Sequence, residues 1–84
     1  MNKEQLLEEV YNYYKVGVKD VNDLIDLKKE IRDNLKTLEG VEVELDACRC
    51  EFGVVSKDDM RYQQLDKIWN ELNYLKTKYQ KRGV

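Results

Sequence analysis

An all-α fold is predicted by three features of the sequence: apolar residues recur at helical spacing almost throughout, proline is absent, and an apolar stripe continues at steps of three and four across the one stretch that also alternates like a strand. The 84 residues form a single domain, 1–84, with 42% hydrophobic and 38% charged side chains. That is enough for a thin core and too little to enclose a deep pocket. The expected architecture is a short N-terminal helix packed on a long antiparallel helical hairpin, a three-helix, coiled-coil-like bundle that self-associates.

The first helix is expected over about 3–14. Leu6, Leu7, Val10 and Tyr14 recur at helical spacing, and Glu4, Glu8 and Glu9 sit early, where the helix dipole favours acids. Gly17 lies in the break that follows. The second helix is expected over about 20–52. Asp20 is placed to cap it, with Asp23 three residues on. Val21, Leu24, Ile31, Leu35 and Leu38 form a heptad-type stripe, with Lys28 in one seam position. Val41 to Leu45 alternates as a strand would, but Val41, Leu45, Cys48, Phe52 and Val55 prolong the helical stripe, and the longer pattern favours a continuous helix. Gly40 then lies inside that helix at a cost of about 1 kcal/mol. Gly53 reads as a left-handed helix stop. Ser56, with Asp59 three residues later, reads as the cap of a third helix over about 57–81, whose stripe is Tyr62, Leu65, Ile68, Trp69, Leu72, Leu75 and Tyr79.

Folding the second and third helices back on each other about the loop 53–56 brings Leu45 against Leu65, Leu38 against Leu72, Leu35 against Leu75, Ile31 against Tyr79 and Cys48 against Tyr62. A hairpin of this length has two sides, and the first helix covers part of one. Leu27, Val43, Val54 and Trp69 remain off the seam, which is the ground for expecting a homo-oligomer.

Several function classes are excluded by what the chain lacks. There is no histidine, Ser56 is the sole serine, and Thr37 and Thr77 are the only threonines, so a hydroxyl or thiol nucleophile has no imidazole base beside it. No glycine-rich phosphate loop or EF-hand spacing is present. Cys48 and Cys50 cannot close a tetrahedral zinc site without further ligands. A non-enzyme with no cofactor and no metal is therefore expected. No stretch approaches the ~20 apolar residues of a membrane span, and the N-terminal residues lack the apolar run of a signal peptide. A cytoplasmic protein with reduced cysteines is expected.

Two surfaces compete as sites. Tyr11, Tyr13 and Tyr14 cannot share one helix face, so at least one is expected outside, next to Val16 and Val18. Exposed tyrosines beside small apolar residues are interface anchors. The candidate protein interface is thus Tyr11, Tyr13, Val16, Val18 and Trp69. Charge suggests the alternative. Residues 60–84 carry six basic and two acidic side chains against a whole-chain net of −2, and Lys67, Tyr74, Lys78 and Lys81 share a helix face, with Arg82 beyond. Tyrosine among lysines suits a nucleotide or single-stranded nucleic acid, though a solvated helix end would look the same. A third reading, an acidic DNA mimic using Glu42, Glu44 and Asp46, needs a strand to align the carboxylates, because a helix fans them apart.

The composition, rich in lysine and asparagine and poor in alanine, resembles coding from an AT-rich genome, and with it the small helical accessory proteins of phages, among them inhibitors of host enzymes and of antiviral defence. That resemblance implies a small interaction protein in the host-cell cytoplasm whose partner is another protein, and it assigns no residue.

Overall fold

The first amides of a helix have no intrahelical acceptor, and a reciprocal side-chain pair supplies one at the start of this chain. In the computed structural model, which describes residues 2–82, the Asn2 side chain accepts from the Gln5 amide at 2.9 Å and the Gln5 side chain accepts from the Asn2 amide at 3.1 Å. Helix α1 follows, Lys3–Tyr14, and passes into a 3₁₀ turn, Lys15–Gly17. Asp20 caps the next helix, α2, Val21–Asn34, by accepting from the Asn22 amide at 2.8 Å. The expected partnership with Asp23 does not form.

The helix expected over 20–52 is two helices. α2 ends at Asn34, and α3 runs Leu38–Phe52. Between them Thr37 is extended, at φ −129° and ψ 154°, and its Oγ1 accepts from the Gly40 amide at 3.0 Å. Gly40 is the steric reason the joint can close. A Cβ at this position would lie 2.2 Å from the Asn34 carbonyl oxygen, a backbone atom that cannot rotate away. The glycine permits the first turn of α3 to press on the end of α2, and is not a weak point within one continuous helix.

The fourth helix, α4, Met60–Arg82, begins later than expected. Ser56 accepts from the Asp58 amide at 3.3 Å, and it is Asp59 that caps α4, accepting from the Arg61 amide at 2.8 Å. Gly53 is right-handed, at φ −75°, and the Val54 and Val55 amides both return to the Glu51 carbonyl, so no left-handed stop is used. The longer loop moves the α3–α4 register by about one turn. Tyr62 packs edge-on against Phe52, ring centroids 5.3 Å apart, where Cys48 was expected. The Tyr79 hydroxyl donates to the Leu35 carbonyl, one turn beyond the expected Ile31. The two helices are antiparallel: Arg61 meets Glu51 near the loop at 3.6 Å, and Lys76 meets Glu42 farther away at 3.9 Å.

Helix accounts for 83% of the described chain, with four α-helices and no strand among the described residues. The helix contacts fit a packed bundle, and principal extents are 40 × 32 × 20 Å. The strand alternative at 41–45 fails because Val41 and Leu45 enter the core one helical turn apart while Val43 faces out. α4 supplies Leu65, Ile68, Leu72, Leu75 and Tyr79 to the core, and α1 lies across both α4 and α2, contributing Leu6, Leu7, Val10 and Tyr13. α2 contributes least: Ile31 is its one fully buried side chain.

Candidate functional site

The tyrosines of α1 turn inward. Tyr13 is 2% exposed, with its ring edge on Tyr14 at 5.0 Å and the Arg61 guanidinium 4.8 Å over its face. Tyr11 is half-buried beneath Lys15 and Lys28, whose ammonium groups lie 5.7 Å and 5.2 Å from its ring. Tyr14 is half-buried too, and among the described residues neither its hydroxyl nor that of Tyr13 meets a hydrogen-bond partner. The expectation that one of the three stands exposed as an anchor is corrected: Tyr13 is a core residue and Tyr11 a shielded one. Trp69 is half-buried between Phe52 and Arg49, each 5.9 Å away. Val16 remains open, 74% exposed, and Val18 is half-buried.

On the basic end of α4 the structure separates the expected group. Lys67 is engaged by Glu9 of α1 at 3.4 Å. Tyr74, 69% exposed, and Lys78 share an open groove of about 420 Å³ with Lys3, but Glu4 and Glu71 line it as well. Carboxylates on both sides weaken the field a phosphate would meet. Lys81 and Arg82 are exposed beyond it.

The acidic triplet does not share a face. Glu42 and Asp46 point outward, whereas Glu44 is buried at 8% exposure and accepts from the Asn34 side-chain Nδ2 at 3.5 Å. Burial pushes its carboxyl pKa up, the nearby Glu30 adds to this, and Asn34 opposes it. The DNA-mimic geometry is therefore absent. Cys48 is buried and its thiol is pushed up to about 11, chiefly by that burial, so it is not a thiolate nucleophile at neutral pH. Among the described residues no group of three or more potential metal ligands gathers, and no helix is long and apolar enough to cross a membrane.

The surface that sequence reasoning missed is the outside of α2. Val21, expected in the core stripe, is 69% exposed, and Ile25 is 62% exposed. Ile25 begins an open groove of about 420 Å³ lined by Lys28, Lys29, Arg32, Asp33 and Lys36. The available signal was the i, i+4 spacing of Val21 and Ile25, which places them together on a face other than that of Leu27 and Ile31. α3 has its own outward row, with Glu39, Val43, Asp46 and Cys50 all exposed.

No protein-family model matches this sequence, and no curated protein or solved structure matches it significantly.

Proposed function

We propose that this chain is a protein-interaction module of the inhibitor or adaptor type, acting in the cytoplasm by covering a surface of another polypeptide rather than by transforming a substrate. The observation that carries the proposal is the apolar edge where the 3₁₀ turn enters α2. Val16 and Val21 stand 74% and 69% exposed there, with Val18 half-buried between them in sequence. Side chains of this kind gain from burial against a partner, about 25 cal/mol per Å² of apolar area removed from water. The anchoring role expected of Tyr11 and Tyr13 thus passes to this edge. We further propose that the chain self-associates, a separate reading supported by the exposed outward rows of α2 and α3.

The test is capture from a nuclease-treated lysate of the native host by immobilised chain, compared with Val16→Asp/Val21→Asp. The proposal expects retained polypeptide that the double substitution releases, with little response to salt. Retention that ignores both valines, or that is nucleic acid eluting steeply with salt, contradicts it.

Tyr74 supports a second reading: it is 69% exposed beside Lys78 in the groove at the α1–α4 end, as a base-stacking platform would be. Lys78→Glu/Lys81→Glu abolishes oligonucleotide or nucleotide binding if that reading holds, and alters no ligand binding if the face is merely solvated.

A further inference from the structure

Two outward helix faces repeat one spacing with opposite charge. Ile25, Lys29, Arg32 and Lys36 recur at i, i+4, i+7 and i+11 along α2 and into its joint with α3. Glu39, Val43, Asp46 and Cys50 recur at the same steps along α3. Residues so spaced line one side of a helix. All eight are exposed. One row is cationic with an apolar residue at its end, and the other is anionic with an apolar residue within it.

Internal pairing does not neutralise either row. Lys29, Arg32 and Glu39 make no ion pair among the described residues. Lys36 meets Asp33 at 3.6 Å with side chains 64% and 60% exposed, and Asp46 meets Arg49 at 3.5 Å with both 72% exposed. Pairs as open to water as these contribute little and exchange partners readily.

We propose that the two rows bind each other between two copies of this chain, α2 of one copy lying on α3 of the other. Every copy carries one row of each sign, so each row finds its complement on another copy. Ile25 and Val43 then lie in the interface, where each loses its exposed area. A phosphate polymer fits this surface less well. It offers nothing to Ile25, it meets Asp33 among the cations of the groove, and it approaches a chain of net charge −2. The proposal rests on the interaction-module reading but uses residues other than Val16 and Val21.

Sedimentation of the full chain under reducing conditions at low salt tests it, with circular dichroism confirming that each variant stays helical. The wild type self-associates. Arg32→Glu/Lys36→Glu and Glu39→Lys/Asp46→Lys each repel their own kind and raise the dissociation constant at least about ten-fold. Mixing the two variants in equal amounts restores association to within a few-fold of wild type, because both rows again face opposite charge. A wild type monomeric up to roughly 100 µM, variants that associate as well as wild type, or a mixture that stays monomeric overturns the proposal. So does a monomer whose α2 row binds a single-stranded oligonucleotide and loses it in Arg32→Glu/Lys36→Glu. If self-association fails while host-protein capture still depends on Val16 and Val21, the module reading survives and the copy-to-copy docking does not.

Discussion

α4 and α2 are both amphipathic, yet they serve the fold differently. α4 places Leu65, Ile68 and Leu72 at 0% exposure, enclosed by α1 and α3. α2 buries only Ile31 fully and turns Val21 and Ile25 to water. The difference lies in how extensively each helix meets its neighbours, which are α1 and α3 in both cases. α4 contacts both α1 and α3 along its length, so its stripe is enclosed. α2 contacts α1 on one flank and α3 less extensively beyond a tight joint, so one side of it has no neighbour among the described residues. A helix held in this way retains its fold through a few contacts and keeps one face open to water.

That contrast makes its strongest prediction in the core. Leu72→Ala should cost about 3 kcal/mol, since it removes a fully enclosed side chain from the helix that packs against both α1 and α3. Ile25→Ala on α2 should change stability by no more than about 0.5 kcal/mol. Urea unfolding of both variants measures the difference, and similar costs would erase the distinction between the two helices.

The joint that frees α2 is the next target. Gly40→Ala drives a Cβ to 2.2 Å from the Asn34 carbonyl oxygen and should destabilise by about 2–3 kcal/mol, in contrast to the gain alanine gives at an unhindered helical glycine. A stabilised variant would show that α2 and α3 do not meet as described. Tyr79→Phe comes third. It deletes the donor to the Leu35 carbonyl, tying α4 to the end of α2, and leaves that acceptor buried; a loss of about 1–2 kcal/mol is expected in the same assay.

The smallest effect concerns Glu44, whose carboxyl is pushed up by burial with Glu30 nearby. The folded chain holds this proton to higher pH than the unfolded chain does. Folded protein thus binds more protons across the interval between the two pKa values, and stability falls as pH rises through it and stays lower above. Glu44→Gln should raise the melting temperature at neutral pH and flatten the dependence over that interval. A variant less stable at neutral pH would mean that the Asn34 contact outweighs the burial.

Much of the enclosed half was legible in the sequence. Leu65, Ile68, Leu72, Leu75 and Tyr79 of the α4 stripe lie in the core at the spacing read from it, with Trp69 half-buried beside them, and Asp20 caps α2 as its side chain suggests. The α2–α3 joint was hidden because Leu35, Leu38 and Val41 keep helical steps across it, so periodicity passes unbroken over a bend. The local chemistry did mark it: Thr37 precedes the acid Glu39, as a cap would, and the glycine follows where two backbones touch. Tyr13 was misplaced for a similar reason. Leu6, Val10 and Tyr13 step by four and three as well as Leu7, Val10 and Tyr14 do, and only the packing of α1 on α4 decides which tyrosine is enclosed. The uncovered face of α2 depends on which sides its neighbours occupy, and the spacing of one helix does not encode that.

Hydrogen exchange followed by mass spectrometry at low and high protein concentration tests the central claim, that α4 holds the fold while α2 is lightly anchored and offers its outer face to another copy. Amides of α4 around Leu65–Leu75 should open only with global unfolding, and their protection per molecule should not depend on α2. Amides of α2 should exchange faster at low concentration and slow markedly as concentration rises, together with those of α3 around Val43. Protection of α2 equal to that of α4, unchanged across the concentration range, would contradict the account.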